Sequence, residues 1–227
     1  MNRTKIEYLD FTWNPIVGCS GVGCSVRDVC WARRQAKRQK NRCVSCYLFT
    51  PHIHRERLFE PLKRKKSSWI GVCFSGDLFD SEVKPEWRQA VLKVVEAAYW
   101  HHFLCLTKQI QRVEETECFP PNFWLGVSIN RKDELWRLEA LKKLRSKLAV
   151  LGATVSFEPL MEDLGSVDLY GVDWIIIGAQ TNPKIQPKRE WVENIVRQAE
   201  ALNIPVFLKN NLGYQNARFL QPMLRRV

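Results

Sequence analysis

From residue 69 onward, short apolar runs alternate with longer helical stretches, and this alternation constrains the fold more than any other feature of the chain. Trp69 to Phe74, Phe103 to Leu106, Phe123 to Val127, Ala149 to Phe157, Trp174 to Ile177 and Pro205 to Leu208 read as strands. Between them, Glu86 to Trp100, Asp133 to Leu148 and Arg189 to Leu202 read as helices, the first with an apolar stripe at Val91, Val94, Val95 and Ala98. Gln109 to Glu117 is polar. The almost continuous apolar run at Trp174 to Ile177 is what a strand buried on both faces requires. Strands joined by helical crossovers are parallel. With a brief first strand at Ile16-Val17-Gly18, the expected fold is α/β: a partial or irregular (β/α) barrel of about six to seven parallel strands, carrying a basic, cysteine-rich N-terminal loop region. A length of 227 residues supports one sizeable core, so residues 1–227 are expected to form a single domain, with 1–68 as its cysteine-rich region.

That region is set apart by charge. The chain has a formal net charge of +11; residues 1–68 hold 15 Lys/Arg against 5 Asp/Glu, and residues 69–227 hold 20 against 19. Nearly all the positive excess therefore sits in the first third, which makes a nucleic acid or another polyanion an expected partner. Trp31 to Lys40, with Arg33, Arg34, Lys37, Arg38 and Lys40, reads as a basic helix, and Arg42 to Lys66 as irregular. No apolar run is long enough to span a membrane, and Met1 to Glu7 lacks the apolar core of an export signal. A reducing, cytoplasmic setting is the expectation, and in such a setting eight cysteines point to metal or redox chemistry before disulfides.

Five cysteines fall within 28 residues. Cys19-x4-Cys24-x5-Cys30 lies in a loop leading into the basic helix, and three thiolates there can hold three irons of a cubane cluster, leaving the fourth iron open. Soft sulfur donors suit iron–sulfur clusters and zinc equally. Cys43-x2-Cys46 is a separate pair of a kind common in zinc half-sites; two cysteines of the first group, or His52 and His54, would complete a tetrahedron. His52 and His54 alternate in an extended segment, however, and read rather as exposed polar contacts. His101 and His102 follow a helix and are expected at its carboxyl end. Cys73, Cys105 and Cys118 sit in or beside apolar runs and read as small buried hydrophobes, as Trp69, Trp100 and Trp174 read as core.

Chemistry in parallel α/β folds collects at the carboxyl ends of strands. Those ends here are Gly18-Cys19, Ser75-Gly76-Asp77, Thr107-Lys108-Gln109, Ser128-Ile129-Asn130, Glu158-Pro159, Gln180-Thr181 and Lys209-Asn210-Asn211. Each carries small, polar or ionisable groups, which marks one end of the fold as an active-site face.

In that setting, Thr12-Trp13-Asn14-Pro15-Ile16-Val17-Gly18-Cys19, then Gly23-Cys24, then Cys30-Trp31-Ala32, resembles the opening of the phage-associated three-Cys-motif family of uncharacterised radical-SAM-like proteins. The likeness continues in order through Gly76-Asp77-Leu78-Phe79, Leu106-Thr107-Lys108, Trp124 to Ser128, Glu158-Pro159-Leu160 and Asp173 to Gly178. The resemblance implies a [4Fe–4S] cluster on Cys19, Cys24 and Cys30, with S-adenosylmethionine (SAM) on the open iron. It also implies an external electron donor and reductive cleavage of SAM to drive hydrogen abstraction. Ser75-Gly76-Asp77 would meet the SAM amino group; Ser128, Asn130 and Glu158 would meet its ribose or carboxylate, or the substrate; Lys108 and Lys209 would hold anionic groups. The spacing of the three cysteines differs from the Cys-x3-Cys-x2-Cys usual in radical SAM enzymes, and Val29 stands before the last cysteine where an aromatic residue is common. Two other functions fit the same residues: a zinc-stabilised nucleic-acid-binding protein without catalysis, and a SAM-independent iron–sulfur protein.

Overall fold

A computed structural model describes residues 1–115, 119–147 and 150–214. Among these residues, eight strands form one sheet: β1 (Asn2–Arg3), β2 (Phe11–Trp13), β5 (Trp69–Val72), β6 (His102–Thr107), β7 (Phe123–Ser128), β8 (Gly152–Phe157), β9 (Trp174–Ile177) and β12 (Val206–Leu208), side by side in that order. Only the β1–β2 pair is antiparallel; each later strand lies parallel to its neighbour. Among the described residues no ladder joins β12 to β1, so the sheet is open. It curls nonetheless: the Tyr8 ring, between β1 and β2, meets Phe207 of β12 with centroids 5.4 Å apart, and Asn210 N–H donates to Glu7 Oε1 (3.0 Å).

The first parallel strand is not the expected one. Ile16–Val17 (β3) does form a strand, but it pairs antiparallel with His52–Ile53 (β4) outside the main sheet, and Phe11–Trp13 takes the place beside β5. Trp13 is fully buried, and its indole N–H donates to Arg57 O (2.8 Å), so the large apolar side chain precedes Asn14-Pro15 and anchors the strand there. β1 was not anticipated, nor was the hairpin of β10 (Gln180–Thr181) and β11 (Lys184–Ile185), because two-residue strands carry no periodic signal.

Among the described residues there are five α-helices: α1 (Trp31–Ala36), α2 (Val44–Leu48), α3 (Pro85–Ala97), α4 (Trp136–Arg145) and α5 (Arg189–Ala201). The expected stripe on α3 is buried at Val91, Val94, Val95 and, just past its end, Ala98. The basic helix is a short α1 continued by a 3-10 turn over Lys37–Gln39, and α2 falls in the stretch expected to be irregular. Residues 148 and 149, at the edges of an expected helix and strand, and Cys118 lie outside the described residues.

The strands sort their side chains with period two. Ile70, Phe103, Cys105, Leu125, Val155 and Ile175 point into the main core with the helices. Trp69, Leu104, Trp124, Trp174, Ile176 and Phe207, alternating with them, gather with Tyr8 on the concave face. There the Trp69 ring lies 5.4 Å from those of both Trp124 and Trp174. Cys73, Cys105, Trp69 and Trp174 are buried as expected, and Trp100 is half-buried against the core. His101 does not cap the helix before it: its Nε2 meets the carbonyls of Pro61 and Arg64 at 3.2 and 3.1 Å.

Candidate functional site

The concave face opens at the carboxyl ends of the strands into a cavity of about 790 Å³. Cys19, Cys24 and Cys30 all line it. The same cavity is lined by Ser75, Gly76 and Asp77 after β5, Lys108 after β6, Ser128 at the end of β7, Glu158 after β8 and Lys209 after β12. Gly18 and Gly76 bring the cysteine segment against β5 through a parallel bridge. A Cβ on Gly76 would lie 2.4 Å from Gly18 O, and Gly18 (φ 93°) has Thr50 O where its own Cβ would be, at 2.3 Å. Neither position admits a side chain without moving backbone.

The cysteine loop is a chain of short turns. Gly21 N–H donates to Cys19 Sγ (3.3 Å), Cys24 N–H to Gly21 O (3.2 Å), Arg27 N–H to Cys24 O (3.3 Å) and Cys30 N–H to Arg27 O (3.4 Å), after which Cys30 opens α1. Two buried charges, neither marked by any sequence pattern, tie this loop to the sheet. Asp80, fully buried, accepts from Ser20 N–H (2.9 Å), Ser20 Oγ (2.8 Å) and Gln109 Nε2 (2.8 Å). Arg137 of α4 donates to Gly23 O (2.6 Å) and Ser128 O (2.9 Å) and pairs with Glu134 at 3.0 Å. Burial raises the Glu134 carboxyl, but the Asn130 N–H, the Arg137 guanidinium and Ser25 outweigh it and hold the group below its usual range. Burial, with Asp77 and Asp80 nearby, pushes the Cys19 thiol far above its usual value. A cation at that sulfur is what would keep it a thiolate. Asp80→Ala is expected to lower stability by about 2 kcal/mol, because it strands buried donors of Ser20 and Gln109; urea unfolding of the variant checks this.

The other expected residues divide. Ser75 lines the cavity, and its N–H donates to Asn14 Oδ1 (2.9 Å). Asp77 lines the cavity, but its carboxylate accepts from Thr107 Oγ1 (2.8 and 3.0 Å), Lys108 N–H (3.0 Å) and Phe79 N–H (3.0 Å), which ties the ends of β5 and β6 together. Glu158 and Lys209 form an ion pair with each other on the cavity wall. Asn130 stands apart: it is wholly buried, and its Nδ2 donates to Pro159 O (2.9 Å). At the mouth, Trp31 is 41% exposed, Arg27 and Arg33 line the opening, and Arg34 reaches across to Asn182 O (3.2 Å) beside β10.

A second group lies outside the cavity. Cys43, Cys46, His52 and His54 bring one donor atom each within 4.8 Å of one another, and can bind a metal such as zinc. Cys43 and Cys46 thus partner the two histidines and not the first three cysteines. The expectation for the histidines is corrected accordingly: both are half-buried, because α2 folds back over β4 and covers them. Burial, followed by Cys43, raises the Cys46 thiol to about 11. The spacing Cys-x2-Cys-x5-His-x-His was visible in the sequence, but the turn that closes it was not.

A mostly parallel α/β sheet with a cysteine-lined cavity at its strand ends and a separate Cys2His2 group defines the class of protein. No helix among the described residues is long and apolar enough to cross a membrane. Residues 3–225 match the family described as "Protein of unknown function (DUF5131)", and the chain belongs to that family. No curated protein and no solved structure matches it.

Proposed function

We propose that the cavity is the active site of a radical-SAM-like enzyme, in which Cys19, Cys24 and Cys30 hold a [4Fe–4S] cluster and the strand-end residues receive SAM. The observation that carries this reading is the convergence of three half-buried free cysteines on one cavity with the strand-end residues. The donor set fits: all three ligands are soft sulfurs, the Gly21 N–H already points at Cys19 Sγ, and three ligands leave one iron free for a cosubstrate. Its volume lies within the range of cavities that enclose small-molecule cofactors. When bound and reduced, such a cluster supplies the electron for reductive cleavage of SAM.

This chain's residues hold and orient. The backbone of Ser75-Gly76 is fixed by Asn14 Oδ1, which accepts from Ser75 N–H, and by Cys73 O, which accepts from Gly76 N–H, so that the Gly76 carbonyl can accept from an ammonium. Ser128 and Glu158 face the same space, and the Glu158–Lys209 pair places both signs of charge on one wall. The Tyr8 and tryptophan layer beneath it supports an apolar base for the cavity. Trp31, Arg27 and Arg33 at the mouth favour a nucleic acid or nucleotide as substrate, because an exposed indole stacks on a base while guanidinium groups bind phosphate.

Anaerobic reconstitution with iron and sulfide tests the reading. A brown protein with about four irons per chain, releasing methionine and 5′-deoxyadenosine from SAM under dithionite, is expected. A pale, iron-free product excludes it, and a stable cluster that leaves SAM intact moves the chain to a SAM-independent iron–sulfur protein. The nucleic-acid component is expected to show as single-strand oligonucleotide binding that weakens steeply with salt; binding indifferent to salt would remove it.

A further inference from the structure

We propose that Cys43, Cys46, His52 and His54 bind a single Zn²⁺ ion in a closed structural site, separate from the cavity, that fixes the segment leading to Cys19.

Local structure assembles the four donors. Cys43 sits at the N-terminal cap of α2 and Cys46 one turn later, with Cys46 N–H donating to Cys43 Sγ (3.4 Å). Phe49 then turns the chain through a left-handed conformation (φ 61°) into β4. His52 and His54 are two apart in an extended segment, so both rings fall on the same side, facing the cysteines. Cys46 Sγ lies 3.4 Å from His52 Nε2 and 3.2 Å from His54 Nε2; Cys43 Sγ lies 3.6 Å from His52 Nε2; the two Nε2 atoms are 3.0 Å apart. For zinc at ordinary Zn–N and Zn–S lengths, a tetrahedron has edges of about 3.3 Å between nitrogens and about 3.6 Å between nitrogen and sulfur. These four separations lie at or a few tenths of an ångström inside those edges.

The ring partners make the case sharper. His52 Nδ1 faces Thr50 O (2.8 Å) and His54 Nδ1 faces a carboxylate oxygen of Glu56 (2.9 Å). Both are acceptors, so each Nδ1 carries the hydrogen and each neutral ring leaves a bare lone pair on Nε2. Two such lone pairs, 3.0 Å apart and beside two sulfurs, form a nest of electron-pair donors that one cation would satisfy together. A carbonyl and a carboxylate behind the rings are the outer partners that orient ligating histidines. Two thiolates and two imidazoles in a tetrahedron select zinc, and four protein donors leave no open position for catalysis.

The ion would brace the cavity from behind. His52 pairs with Val17 across β3–β4, His54 N–H donates to Pro15 O (2.7 Å), and Cys19 N–H donates to Phe49 O (3.1 Å). The ligand-bearing turn thus backs both sides of Gly18.

The test uses the full chain with Cys19, Cys24 and Cys30 replaced by alanine, so that iron chemistry is absent. About one zinc per chain is expected by metal analysis, and Co²⁺ replacing it should give strong tetrahedral visible bands with thiolate charge transfer. Adding His52→Ala or Cys46→Ala should lower zinc affinity at least about tenfold. Because either variant can unfold, Cys43→His, which preserves four donors, should retain the metal while the Co²⁺ charge-transfer band weakens. A parent that holds no zinc and gives no tetrahedral Co²⁺ spectrum overturns the proposal, as does a Co²⁺ spectrum unchanged by Cys43→His. The two ligand sets share no residue, so this site and the iron cluster fail independently.

Discussion

Cys24→Ala is expected to leave reconstituted protein with less than about one iron per chain, against about four in the parent, while Cys105→Ala retains the full complement. The contrast follows from position. Cys24 is half-buried at the cavity, on a loop whose turns are set by Cys19 and Gly21. Cys105 lies in the middle of β6, fully buried in the main core, where its thiol is pushed far up by burial and then by Cys73. Zinc content should be unchanged in Cys24→Ala, since Cys43, Cys46, His52 and His54 form their group without it. Iron and zinc measured on the same samples decide the matter: equal iron loss in both variants would mean that the cavity cysteines have no special part in holding the cluster.

Arg137→Ala is expected to destabilise the fold by about 3–5 kcal/mol, because it leaves a buried carboxylate without its partner. For a chain of this length that corresponds to a fall in Tm on the order of 10 °C. The side chains of Arg137 and Glu134 are 2% and 6% exposed, so water cannot take over the lost contacts. The effect should extend to the cavity. Arg137 is the link between Gly23 O, beside Cys24, and Ser128 O at the end of β7, so iron loading should fall together with stability. Arg137→Lys should recover only part of either, since an ammonium lacks the planar fork that meets two carbonyls and a carboxylate at once. Thermal unfolding and iron content of the two variants provide the check; a Tm unchanged in Arg137→Ala would show that the clamp is not structural.

Much of the sheet was legible because its strands are long enough to carry a pattern. Phe103 to Leu106, Phe123 to Val127 and Trp174 to Ile177 are bounded by polar strand ends, and each lies within a strand of the structure. The cavity was legible for the same reason: once strands are parallel, their carboxyl ends share one face, and Ser75, Lys108, Ser128, Glu158 and Lys209 meet there. The first parallel strand was misplaced from β2 to β3 because three residues, Phe11-Thr12-Trp13, present no periodicity to compare with Ile16-Val17. Asp80 and Arg137 were missed because a charged residue in sequence looks like a surface residue. Their value lies in backbone groups of Ser20, Gly23 and Ser128 that belong to other segments.

By itself the sequence determined the α/β class, the parallel strands, the concentration of charge in the first third and the three cysteines near the first strand end, all of which depend on residues close together in the chain or on a repeating pattern. Only the tertiary structure decided which donors share a metal. His52 and His54 become ligands because α2 and the left-handed turn at Phe49 carry Cys43 and Cys46 onto β4. Asp77 becomes a strand-end clasp because Thr107 and Lys108 arrive beside it from the next strand. A donor's role is fixed by the groups that surround it in space, and those come from segments whose meeting no local pattern records.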